Sequence, residues 1–124
     1  MPEHKILIIE DDKFLRNLIV TKLIKEGFGT AISEDGAGVM NLIINEKPNL
    51  IVLDIMLPAV NGLDILTEVR KNETWKDIKV IIFSNLKDEQ NIKRGLELDV
   101  TDYLVKANVT LDELVKTIKS SISK

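Results

Sequence analysis

At 124 residues with a formal charge of −3, the chain is long enough for one domain with a full core and carries no basic excess for nucleic-acid binding. The absence of cysteine excludes a disulfide framework, a thiolate metal site and a cysteine nucleophile. No stretch approaches the roughly 18 apolar residues of a membrane span and no secretory lead precedes Ile6, so a soluble cytoplasmic protein without direct nucleic-acid or membrane partners is expected.

The first apolar run, Ile6 to Ile9, leads into Glu10-Asp11-Asp12. In the helix predicted after it, Phe14, Leu15, Leu18, Ile19, Leu23 and Ile24 recur at helical spacings until Gly27 stops the pattern. His4, the single histidine, precedes the first run and is expected to be exposed. A weaker strand, Thr30-Ala31-Ile32, reads as a sheet edge, and Val39, Met40, Leu42 and Ile43 mark a second helix that ends before Pro48. Leu50 to Leu53 runs into Asp54, and a third helix follows Gly62 through Leu63, Ile65, Leu66 and Val69. Trp75 is expected to cover the core where that helix returns to the sheet. Val80 to Phe83 ends in Ser84, with Ile92, Leu96 and Leu98 marking a fourth helix. Tyr103-Leu104-Val105 ends in Lys106, and Leu111, Leu114, Val115 and Ile118 mark a fifth helix that opens on a Thr110 and Glu113 capping box.

Unbroken Ile/Val/Leu runs are the mark of parallel strands buried on both faces, and their alternation with helices predicts repeated strand-helix units. Right-handed crossovers then give a doubly wound five-stranded parallel sheet, strand order 2-1-3-4-5, in a flavodoxin-like three-layer α/β sandwich. Ligands bind in such sheets at the carboxyl ends of the strands, where this chain places an acidic cluster, a lone aspartate, a hydroxyl and a lysine. With the first and third strands adjacent, Glu10, Asp11 and Asp54 converge and repel. A hard divalent cation relieves that repulsion, and an all-oxygen donor set favours Mg²⁺. The group set suits Mg²⁺-assisted phosphoryl transfer to a carboxylate.

Singly, each of these residues has an ordinary explanation: acidic residues cap helices, and loop serines and exposed lysines are common. Jointly, Glu10-Asp11, Asp54 followed by Pro58 and Gly62, Ser84 and Lys106 resemble, over essentially the whole chain, the receiver domain of two-component response regulators. The resemblance implies that Asp54 accepts a phosphoryl group from a sensor histidine kinase or a histidine phosphotransfer protein. It further implies that Asp11 ligates Mg²⁺ directly, Glu10 acts largely through water, and the Met56 carbonyl completes the protein ligands. Ser84 and Lys106 would hold phosphoryl oxygens. Tyr103 would be the switch aromatic that moves with Ser84, and the readout face would comprise the fourth helix, the last strand and the fifth helix.

Residues 1–124 leave no room for an output domain, so a single stand-alone receiver is expected, acting as a chemotaxis-type signal or relay intermediate. It would be a phosphoacceptor switch rather than an enzyme. One departure from the family is Lys106-Ala107, where proline in a cis peptide is usual; a trans bond is expected because a non-proline cis bond costs about 3–4 kcal/mol. Met56 and Leu86 are apolar and offer little help to an attacking water, which predicts a long-lived phosphoryl group, while Asn85 either narrows access further or holds a water through its amide.

Two other classes fit less well. A haloacid-dehalogenase-like phosphohydrolase carries a second Asp two residues after its nucleophile, where this chain has Met56. A flavin carrier needs a hydroxyl- and glycine-rich loop where Glu10-Asp11-Asp12 stands.

Overall fold

The structure, a computed structural model, describes residues 3–123. Five strands, β1 (Lys5–Ile9), β2 (Gly29–Ser33), β3 (Leu50–Leu53), β4 (Lys79–Ser84) and β5 (Asp102–Val105), alternate with five helices. The helices are α1 (Lys13–Lys25), α2 (Val39–Glu46), α3 (Gly62–Lys71), α4 (Glu89–Glu97) and α5 (Leu111–Ile122). All strand pairs are parallel, and the order is β2-β1-β3-β4-β5, as the pattern of buried runs predicts. Weakly apolar β2 is an edge strand.

Successive strand residues face opposite sides, so each apolar run feeds two cores. Leu7, Ile9, Ile51, Leu53, Val80 and Ile82 pack with Val39, Ile43, Leu63, Leu66 and Val69 of α2 and α3. Ile6, Ile8, Leu50, Val52, Ile81 and Phe83 pack with Ile19, Leu23, Leu114, Val115 and Ile118 of α1 and α5. Trp75 lies half-buried against the α2–α3 core, as its position after the third helix suggests.

Local caps define where the helices begin, and hence where the loops over the sheet edge lie. Asp12 accepts the Leu15 amide at 3.0 Å, Asn61 the Leu63 amide at 2.8 Å, and Asp88 the Asn91 amide at 3.3 Å. At α5 the capping box is complete, with the Glu113 amide donating to Thr110 Oγ1 at 3.1 Å and the Thr110 amide donating to Glu113 Oε1 at 2.9 Å.

Three placements differ from the sequence pattern. Phe14 is 76 % exposed and Leu18 and Ile24 also face solvent, while the charged Arg16 is buried on the same face as Ile19 and Leu23. The apolar residues of α1 lie on both sides of the helix, so spacing alone does not select the face that meets the sheet. On α4 Leu96 is exposed and Gly95 faces inward, because an added Cβ at Gly95 would stand 3.0 Å from Ile82 Cδ1 and 3.3 Å from the Tyr103 ring. His4 is half-buried rather than exposed, drawn in where its carbonyl accepts the Gly29 amide at 2.9 Å. Among the described residues no helix is long and apolar enough to cross a membrane.

Candidate functional site

The site lies at the carboxyl edge of the sheet, where β1 and β3 run side by side and their next residues are Glu10 and Asp54. Both carboxylates are buried, Asp11 is exposed beside them, and one oxygen from each of the three lies within 4.8 Å of the others. Asp12, the last of the acidic run, caps α1 instead.

Lys106 leaves the end of β5 in a 3-10 turn, Lys106–Asn108, and its Nζ bridges Glu10 Oε1 at 2.6 Å and Asp54 Oδ2 at 2.8 Å. The Lys106–Ala107 peptide is trans, as expected for a non-proline bond. Backbone amides occupy the remaining carboxylate oxygens: Asp12 donates to Glu10 Oε2 at 3.1 Å and Met56 to Asp54 Oδ1 at 3.2 Å. Burial pushes the Glu10 carboxyl above its ordinary range despite the Lys106 contact, and the neighbouring Asp54 charge adds to the rise. For Lys106 burial works in the lowering direction, but the hydrogen bonds to Asp54 and Glu10 outweigh it and hold the ammonium above its ordinary range.

Ser84 ends β4 fully buried, and its Oγ accepts the Leu86 amide at 3.4 Å. Tyr103, half-buried in β5, donates its hydroxyl to the Leu86 carbonyl at 2.5 Å. One short loop after β4 is thereby attached to both the hydroxyl and the aromatic ring. Burial raises the Tyr103 phenol further, with the Asp88 and Asp54 charges contributing, so the ring is a hydrogen-bond donor at neutral pH. The Met56 side chain is exposed, and a cleft of about 440 Å³ opens beside Asp11 between Met56, Leu57, Val60 and Leu86.

Sequence inspection passed over Arg16 and did not give Asn85 and Gly62 the supporting roles they have in the structure. Arg16 donates to the Glu10 carbonyl from beneath, and its spacing of three and seven before Ile19 and Leu23 was the available signal. Asn85 Oδ1 accepts the Ala107 amide at 3.1 Å and so ties the loop after β4 to the loop after β5. Gly62 is required by close approach, since a Cβ there would stand 2.2 Å from the Asp54 carbonyl oxygen. Only the folded chain reveals the last two.

An open parallel α/β domain with three carboxylates and a lysine converging at its strand ends, and a buried hydroxyl on the same edge, sets an all-oxygen donor set beside a cationic group where such sheets bind ligands. The family model of the response regulator receiver domain matches residues 6–119. The chain belongs to that family, and it is a receiver domain of two-component response regulators. It is 35% identical over 106 residues to a probable transcriptional regulator, ycf27, of Porphyridium aerugineum, covering 86% of this chain and 43% of the relative. The chain thus spans under half the length of that relative. Among solved structures it resembles the BeF3-activated N-terminal receiver domain of Klebsiella pneumoniae RstA, with TM-score 0.83 and 28% identity, covering 93% of this chain and 95% of that one. A CheY-like receiver domain protein from Methanospirillum hungatei superposes with TM-score 0.89 at 26% identity, covering 97% and 94% of the two chains.

Proposed function

We propose that Asp54 is the phosphoacceptor of this receiver, taking the phosphoryl group from a phosphohistidine on a sensor histidine kinase or phosphotransfer protein. The observation that carries the proposal is the buried Asp54 carboxylate, set between the Lys106 ammonium and the Glu10 and Asp11 carboxylates. In the transfer the P–N bond of the donor breaks as an O–P bond forms on Asp54, and the imidazole leaves with the electron pair.

A carboxylate is a weak nucleophile, so the rate depends on in-line positioning and on neutralising the equatorial oxygens. The all-oxygen donor set of Glu10, Asp11 and Asp54 fits Mg²⁺, with the Met56 carbonyl as a further ligand. When bound, the cation would add its positive charge to that of Lys106. Lys106 holds one phosphoryl oxygen and Ser84 another. The Met56 amide already fixes one oxygen of Asp54 and thereby its orientation.

In the switch, new negative charge near Ser84 draws the loop after β4 toward the site, and Tyr103 follows through its bond to the Leu86 carbonyl. The readout face is α4, β5 and α5, and its target is a protein. With a net charge of −3 this domain itself is not expected to grip a phosphate backbone. We further propose that this domain acts in the cytoplasm as a chemotaxis-type signal or relay intermediate and turns over no small substrate.

The direct test is labelling by a small acyl phosphate with Mg²⁺. Asp54→Ala should take up no phosphoryl group, and stoichiometric labelling of that variant would sink the assignment. Largest amide shifts on α1 and α2 after beryllofluoride addition, rather than on α4 and β5, would refute the switch route.

A further inference from the structure

Glu10 and Asp11 are adjacent, and adjacent residues of an extended strand point to opposite faces. Yet their carboxylate oxygens lie within 4.8 Å of each other and of Asp54. The peptide joining them lies past the end of β1, where the chain bends at Asp11. Its carbonyl oxygen, that of Glu10, accepts the buried Arg16 Nη1 at 3.0 Å. Glu10 Oε2 in turn accepts the Asp12 amide at 3.1 Å, which fixes the Glu10 side chain over the same turn.

Arg16 is an expensive way to satisfy one carbonyl. Its side chain is 4% exposed, its ionic partner Glu34 is 73% exposed at 3.3 Å, and its buried Nε has no hydrogen-bond partner. A guanidinium buried with an incomplete set of partners costs stability, and an apolar side chain of similar volume often replaces such a group without loss. Core packing therefore does not account for it. The grip on the Glu10–Asp11 peptide does.

We infer that Arg16 is a positioning residue for the cation site: its guanidinium, oriented by Glu34, locks the Glu10–Asp11 peptide so that both carboxylates face Asp54. The inference rests on the proposal that these carboxylates hold Mg²⁺. Groups that orient ligands in this way change metal affinity by about 10- to 100-fold when removed. Arg16→Met removes the donor and keeps the volume, whereas Arg16→Lys keeps the charge but offers a single mobile donor in place of the planar fork.

The experiment is Mg²⁺ titration of wild type, Arg16→Met and Arg16→Lys by calorimetry, with thermal unfolding of each in the absence of Mg²⁺. The expected Mg²⁺ affinity falls by about tenfold or more in Arg16→Met and by a smaller factor in Arg16→Lys. The unfolding midpoint without metal should be unchanged or higher in Arg16→Met. Wild-type affinity in a folded Arg16→Met would overturn the inference, and so would an affinity loss accompanied by a lowered midpoint in proportion, the pattern of a purely structural role. Should Arg16→Met fail to fold, Arg16→Lys decides: weaker binding supports the inference and wild-type affinity overturns it. A wild-type chain that bound no Mg²⁺ would overturn the cation site and this inference with it, whereas binding unaltered by the substitutions overturns the inference alone.

Discussion

Replacing Gly62 by alanine should disable the site without altering any of its side chains. The new Cβ would stand 2.2 Å from the Asp54 carbonyl oxygen and 2.7 Å from the Ile55 Cα. Non-bonded carbon atoms pack at about 3.5 Å or more, so the overlap is on the order of 1 Å. Both obstacles are backbone, and no rotamer change relieves them. Either the start of α3 moves outward, breaking the 2.9 Å bond from the Gly62 amide to the Ile55 carbonyl, or the Asp54–Ile55 backbone moves back. Overpacking of this kind costs about 1–3 kcal/mol, which for a domain of this length lowers the melting midpoint by about 4–12 °C. A reacting group misplaced by about 1 Å loses about 100-fold in rate. Gly62→Ala should therefore label with a small acyl phosphate at about one hundredth of the wild-type rate, followed by mass spectrometry, with melting followed by circular dichroism. Gly38→Ala is the control, because Gly38 has φ 68° and nothing within 4 Å of an added Cβ. That variant should lose about 1–2 kcal/mol to left-handed strain and label at the wild-type rate. Wild-type labelling by Gly62→Ala would refute the reasoning whatever its melting midpoint.

The raised Glu10 carboxyl gives a signed pH dependence in metal-free protein. A folded-state value above the ordinary 4.5 means the folded chain holds this proton more tightly, so the contribution is full below about 4.5 and is lost as pH rises through the raised value. Glu10→Gln should remove that fall, and identical stability-versus-pH slopes for wild type and variant would contradict it. Arg70 donates Nε to the Leu98 carbonyl at 2.7 Å, Nη1 to those of Lys76 and Ile78 at 2.9 and 2.8 Å, and Nη2 to that of Asp99 at 3.1 Å, joining α3 to the end of α4. Arg70→Ala should cost about 2–3 kcal/mol in urea unfolding, and a loss below about 0.5 kcal/mol would show that water replaces these bonds. Met56 and Leu86 line the cleft beside Asp11, so Met56→Asn, alone or with Leu86→Glu, should speed loss of the phosphoryl group from Asp54 after the donor is removed. A wild-type decay faster than that of both polar variants would show that these side chains do not shield it.

The architecture was legible in the sequence because strand runs and helix stops are local properties. Leu50–Leu53 is β3 residue for residue, Thr110 and Glu113 form the box that starts α5, and the weak Thr30-Ala31-Ile32 run lies at the sheet edge. The convergence of Glu10, Asp11, Asp54 and Lys106 was legible for the same reason, since each lies just past an apolar strand run and parallel strands bring their ends to one edge. What tertiary structure decided is which face of a helix meets the sheet and how closely backbones approach. On α1 the apolar residues surround the helix, and only its seat on the sheet buries Arg16 while leaving Phe14 in solvent. On α4 the sheet admits Gly95 and turns Leu96 outward. The crowding of Gly62 against Asp54, the Asn85 tie to Ala107 and the Tyr103 bond to Leu86 join residues from separate elements. Such contacts depend on packing distances that no local pattern of residues encodes.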